Sequence, residues 1–94
     1  MTVYVDDLRP VVNPSKDWRW LESCHLWADT VEELHAFAGR IGMRRAWFQD
    51  HHKSFPHYDL TERRRIAALQ AGATYHSLRE WILKQRSVRP MEDA

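Results

Sequence analysis

Paired aspartates, scattered histidines and a run of arginines are the residues of this 94-residue chain whose types could do chemistry. Asp6-Asp7 closes the apolar stretch Thr2-Val3-Tyr4-Val5, His25 and Asp29 flank Leu26-Trp27-Ala28, Gln49 ends Arg45-Ala46-Trp47-Phe48, and His57-Tyr58-Asp59 stands just before a helical pattern. Aspartate and histidine are ligand types for Mg²⁺, Mn²⁺ or Zn²⁺. An ion so held activates water against a phosphate or another ester. Asp6, His25 and His57 are the candidate metal ligands, and Asp7 or Asp59 the candidate for orienting water. Gln49, Arg63 and Arg64 are the candidate substrate-binding groups. No compact ligand motif such as H-E-x-x-H is present, so the site must be assembled from separate segments. Each residue also has a structural reading. Asp29 and Asp59 suit helix caps, Asp6-Asp7 a strand end, and His51-His52-Lys53 a solvated loop.

Alternating strands and helices must position these groups. Thr2-Val3-Tyr4-Val5 has the β-branched and aromatic character of a short buried strand. Thr30-Val31-Glu32-Glu33 is a capping box, and Val31, Leu34, Phe37, Ala38 and Ile41 recur on one face of the helix it opens, predicted at 31–41 and closed by Gly42. His35 falls at the edge of that apolar face. Arg45–Gln49 reads as a second strand. Asp59-Leu60-Thr61-Glu62, with Asp59 as cap, opens a helix at 60–71 that Gly72 ends. Ala73–Tyr75 reads as a third strand, and Ser77-Leu78-Arg79-Glu80 opens a helix at 78–86. Cys24–Ala28 is a candidate fourth strand beside the first.

This alternation predicts an α/β domain over residues 1–86, with a small, mostly parallel sheet of three to four strands, about three helices and a flexible tail at 87–94. In such sheets ligands bind beyond the carboxyl ends of the strands, where the polar residues gather. Cys24 beside His25 invites a thiolate reading, but adjacent strand residues point to opposite faces and cannot meet. Trp47 and Trp81 read as core. Trp18 and Trp20 lie in a Pro- and Asn-punctuated loop, from which they would stack on a ring or cover a partner.

The net charge of +1 conceals a division: residues 1–59 carry seven Lys and Arg against nine Asp and Glu, and residues 60–94 seven against four. Arg63-Arg64-Arg65 falls near a helix start, where free N–H groups also favour an anion, although three consecutive arginines spread around the helix and a solvated charged face is the alternative. A single cysteine excludes an internal disulfide. No apolar run approaches the ~20 residues of a membrane span and the first residues lack a basic flank, so a cytoplasmic protein with no membrane partner is expected. Neither a helix-turn-helix nor an RNA-recognition pattern is present. Two functions remain: a metal-assisted hydrolase acting on a phosphate-containing substrate, nucleotide or nucleic acid, and a non-catalytic module that binds a nucleotide-like ligand, a protein or itself through the Trp18/Trp20 loop.

The blocks Thr2–Asp7, His25-Leu26-Trp27-Ala28-Asp29-Thr30, Glu33-Leu34-His35-Ala36-Phe37-Ala38, Arg45-Ala46-Trp47-Phe48-Gln49 and His57-Tyr58-Asp59, spread over residues 1–80, together resemble the bacterial and phage family of domains of unknown function numbered 4031. The resemblance implies that Asp6, Asp7, His25, Asp29, His35, Gln49, His57 and Asp59 belong to the family's signature. It implies no activity. Trp18-Arg19-Trp20 and the helix beyond Ser77 fit the pattern less clearly.

Overall fold

The structure, a computed structural model, describes residues 2–11, 22–50 and 55–87. Trp18, Trp20, His51, His52, Lys53 and the tail at 88–94 lie outside the described residues. Strand β1 (Val3–Val5) is followed by a two-residue strand, β2 (Arg9–Pro10), and then by the longest strand, β3 (Glu22–Ala28). Helix α1 (Val31–Arg40), a 3₁₀ turn at Arg45–Trp47, β4 (Tyr58–Leu60), α2 (Glu62–Gln70), β5 (Thr74–Tyr75) and α3 (Leu78–Ser87) complete the order.

β3 organises the sheet. It pairs antiparallel with β1 through Val5↔Leu26, with β2 through Arg9↔Ser23 and with β4 through His25↔Asp59. Among the described residues, the single parallel pairing is β1 with β5, where Tyr4 faces Thr74. The architecture is therefore α/β with a mixed five-stranded sheet, not the mostly parallel sheet of three to four strands expected above. The error came from assuming that each strand returns through the next helix. Arg45–Trp47 coils into a 3₁₀ turn, and only Gln49 forms a bridge, to His57. The chain between α1 and β4 is then long enough to reverse, and β4 enters antiparallel to β3. Trp47, expected in the core, is 44% exposed and lies under the Arg44 guanidinium.

The helix signals act largely as read. The Thr30 hydroxyl accepts from the Glu33 N–H, and the Ser77 hydroxyl from the Glu80 N–H. In α2 the cap is Thr61, which accepts from the Arg64 N–H, rather than Asp59, which lies in β4. Asp29 is likewise no cap: its carboxylate accepts from the Thr2 N–H and the Tyr4 hydroxyl and fastens β1 beside the end of β3. Gly42 ends α1 at φ 84°, and a Cβ there would also meet the Arg64 guanidinium.

Strand alternation separates two faces. Val3, Val5, Cys24, Leu26, Tyr58 and Leu60 point to one side, where Leu34, Phe37 and Ala38 of α1 and Ala68 of α2 cover them. His35, at the edge of this core as its spacing predicts, shares a 2.8 Å hydrogen bond with the Tyr58 hydroxyl. Tyr4, Trp27, His25 and Asp59 belong to the other face. There Tyr4 stacks on Trp27, its partner across the strands, and Trp81 of α3 packs against both rings. Trp81 is thus half-buried in a second, aromatic cluster and not in the main core. Among the described residues, no helix is long and apolar enough to cross a membrane.

Cys24 is 1% exposed on the core face, and burial pushes its thiol up to about 12, with the Asp6 charge adding to the effect. It is unsuited to nucleophilic work. Treatment of the native protein with a maleimide is expected to leave Cys24 unmodified, with stoichiometric labelling only in denaturant; rapid native labelling would contradict this packing.

Candidate functional site

The site begins where the sheet ladder is interrupted. Between the pairs Val5↔Leu26 and Arg9↔Ser23, the three residues Asp6, Asp7 and Leu8 stand opposite only Cys24 and His25. A backbone mismatch of this kind leaves a strand amide without its ladder partner. Here the Asp6 side chain fills the place: Oδ1 accepts from the His25 N–H at 2.6 Å. The second oxygen, Oδ2, lies 2.8 Å from His25 Nδ1. Asp6 is 5% exposed, and these contacts, together with the Arg65 guanidinium on its main-chain carbonyl, are what permit a buried carboxylate there.

His25 and Asp59 are register partners on β3 and β4, and so share a face. His57, two residues before Asp59, shares it too, and its bridge to Gln49 adds a further polar side chain. The two imidazole rings lie 5.1 Å apart, nearly edge to face, and Phe55 stacks on His57 at 4.6 Å. One ligand atom from each of His25, His57 and Asp59 can be chosen so that all lie within 4.8 Å of one another.

Hydrogen bonding decides which nitrogen of each ring keeps a lone pair. His57 Nδ1 is 2.8 Å from the Phe55 carbonyl oxygen, an acceptor only, and therefore carries the proton. His25 Nδ1 donates to the Asp6 carboxylate for the same reason. Both rings are thus anchored at Nδ1, and each neutral ring presents the lone pair of Nε2. His57 Nε2 lies 3.4 Å from Asp59 Oδ1, while the Gln49 amide donates to Asp59 Oδ2.

Burial is the largest single influence on both His57 and Asp59 and disfavours their charged forms, but it is outweighed by their contact with each other together with the neighbouring hydrogen bonds and charges. The Phe55 carbonyl helps to raise His57 above its ordinary 6.5, and the Gln49 amide helps to hold Asp59 below its ordinary 3.8.

The structure gathers Asp6, His25, Gln49, His57 and Asp59, but it places the two aspartates differently from expectation. Asp6, expected as a ligand, has both oxygens committed to His25, whereas Asp59, expected to orient water, presents an oxygen beside His57. Asp7 is not part of the group. It is exposed and accepts from the Tyr75 hydroxyl of β5, along the edge of β1 away from β3. Arg64 donates to the Ile41 carbonyl at the end of α1, at 2.5 Å, and Arg63 is exposed on α2, the helix covering the opposite face.

Three contributors carried no recognised signal. The Phe55 carbonyl orients His57. Arg9 and Arg79 border a cavity of about 560 Å³ that also reaches Asp6 and His25. Arg9 sits on a two-residue strand that no periodicity marks, and the direction of Arg79 depends on how Trp81 seats α3.

The fold and this cluster define a small α/β protein with a mixed sheet whose polar face assembles two histidines and an aspartate. The chain belongs to the DUF4031 family, described as a protein of unknown function, whose model matches residues 3–88. No curated protein matches it, and no solved structure does.

A raised imidazole stabilises the fold fully below its unfolded value, and this contribution is lost as pH rises through the folded one. A depressed carboxylate stabilises above its unfolded value, and this contribution is lost as pH falls through the folded one. In metal-free protein the stability advantage of wild type over Asp59→Asn is therefore expected to peak between pH 3.8 and 6.5 and to shrink on either side, as read by Tm. NMR titration is expected to find His57 above 6.5 in wild type and lower in Asp59→Asn; an unchanged His57 would break the coupling.

Asp6→Ala leaves the His25 N–H unpaired and is expected to cost about 1–3 kcal/mol in denaturant unfolding. A loss below about 0.5 kcal/mol would mean that the carboxylate is not completing the ladder.

Proposed function

We propose that His25, His57 and Asp59 bind a divalent metal ion, and that the protein is a metal-assisted hydrolase acting on a phosphate-containing substrate, a nucleotide or nucleic acid. The observation that carries this reading is the pair of imidazoles locked at Nδ1 by Asp6 and the Phe55 carbonyl, with Asp59 beside them. Metal-ligating histidines characteristically donate their other ring N–H to a carboxylate or backbone carbonyl, which fixes the tautomer and raises ligand basicity. The spacing also fits. Two ligands each about 2.1 Å from a tetrahedral ion lie about 3.4 Å apart, and His57 Nε2 to Asp59 Oδ1 is 3.4 Å. Two imidazoles and one carboxylate favour Zn²⁺ or Mn²⁺ over Mg²⁺, which prefers oxygen ligands.

Three protein ligands leave a coordination position for water or substrate, and a bound ion there supplies Lewis acidity toward a phosphoryl oxygen and a more acidic water. This chain's residues do the rest. Asp6 and Phe55 hold the rings, and Gln49 turns the Asp59 carboxylate so that Oδ1 faces His57. Protons compete with the ion for His57 Nε2, so apparent metal affinity is expected to rise with pH until the raised His57 value is passed.

Isothermal titration of the untagged protein is the direct test. Stoichiometric Zn²⁺ or Mn²⁺ binding is expected, with Mg²⁺ weaker, and His57→Ala or Asp59→Ala should abolish it. Asp6→Asn should weaken binding roughly 10–100-fold, as loss of a group supporting a ligand does. Metal-dependent hydrolysis of bis(p-nitrophenyl) phosphate should follow the same order of variants. Failure of wild type to take up any of the three ions would remove the proposal.

A further inference from the structure

We propose that the cavity between the polar face of the sheet and α3 is a subsite for an organic phosphate: a phosphate ester or phosphonate carrying an apolar or aromatic body. The assignment deepens the metal reading above and rests on it for the direction in which the phosphate points. The cavity, about 560 Å³, lies within the ~300–1,000 Å³ range of small-molecule sites. One wall is the candidate metal site itself, through His25 and the Asp6 that holds it. A ligand filling the cavity therefore touches the face to which His57 and Asp59 also belong.

The remaining walls specify the chemistry of the occupant. Arg9 lines the cavity from β2 and Arg79 from the first turn of α3, so two arginines on separate elements border one space. Among the described residues, the ion pairs are His25 with Asp6 and His57 with Asp59, and neither arginine has a carboxylate partner there. The carboxylate that lines the cavity, Asp6, has both oxygens bound to His25. Guanidinium is planar, always charged and matched to phosphate oxygens, which makes an anion the favoured occupant and a neutral ligand a poor one. Leu78, Ile82 and Leu83 form an apolar wall on α3. Inorganic phosphate would leave that wall wet, whereas a phosphate with an apolar body covers it while its charge meets the arginines. The closing helix is held down by Trp81 against Tyr4 and Trp27, so the wall is set by aromatic packing on the same face.

Phenylphosphonate, which cannot be hydrolysed, is the probe, with inorganic phosphate and benzyl alcohol as its separated halves. Calorimetry on the full chain, with and without bound Zn²⁺, is expected to show phenylphosphonate binding at least tenfold tighter than either half. Arg9→Ala and Arg79→Ala, both at exposed positions, are each expected to weaken it roughly ten- to hundredfold, with Zn²⁺ affinity and Tm unchanged. Ile82→Asp is expected to weaken phenylphosphonate but not phosphate. Unchanged phenylphosphonate affinity in both arginine variants, or wild-type affinity no better than that for phosphate, would overturn the subsite. Failure of the metal reading has a different signature: no Zn²⁺ uptake, with arginine-dependent phenylphosphonate binding persisting in the metal-free chain.

Discussion

Successive residues of a β-strand must point to opposite sides of the sheet, and this molecule depends on how β3 uses that constraint. Cys24 and Leu26 enter the apolar core under α1 and α2, while His25 and Trp27 emerge on the face that α3 partly covers. Because β3 is paired to β1, β2 and β4, the placement of its side chains is transmitted across the sheet. Tyr4 comes opposite Trp27, and Asp59 comes opposite His25. The core and the candidate site are two sides of one ladder, and a one-residue slip of β3 would bury His25 and expose Leu26.

The interactions that complete the fold are also those that would orient ligands. Asp6 accepts the strand amide that the mismatched ladder leaves without a backbone partner, and with its second oxygen it fixes the ring of the same residue. A carboxylate buried for structural reasons thereby sets a tautomer. Beside β4, the Phe55 carbonyl performs the corresponding task for His57, and Gln49 does so for Asp59. Burial of Asp6 and His57 makes their bonds strong and their loss costly, since a polar group left unpaired there is poorly reached by water. The same burial opposes a charged Asp59 and a charged His57, and their proximity is what keeps both ionised over part of the pH range.

Local signals were read well where they act over a single turn. Thr30 with Glu33, Ser77 with Glu80, and Gly42 with Gly72 bounded helices to within a residue or two, because a cap and the amide it satisfies are neighbours in the chain. Asp29 and Asp59 show where this reasoning stops. Both precede a helix and are of capping type, yet each is bound by a partner distant in sequence or in a neighbouring strand: Thr2 and Tyr4 for Asp29, His57 and Gln49 for Asp59. Trp47 stands in an apolar segment and nevertheless faces solvent, since Arg45–Trp47 turns as 3₁₀ instead of joining the sheet. The mixed direction of the strands was hidden for a related reason. Alternation of helix and strand says which elements exist, but the length and course of the chain between α1 and β4 set which way β4 enters.

Residue types and short-range spacing were enough to place three helices, two of their caps, and a wider set of candidate residues in which Asp6, His25, Gln49, His57 and Asp59 stood beside Asp7, Arg63 and Arg64. These follow from periodicity and from bonds between near neighbours, which the linear chain displays. The division of labour within that set came from folding: Asp6 as the anchor of His25, Asp59 as the group beside His57, Asp7 turned to Tyr75, and Arg64 spent on the end of α1. Each of those outcomes depends on strand register and on one extra residue opposite Cys24 and His25, quantities that exist only between segments and are settled by the energy of packing the whole sheet at once.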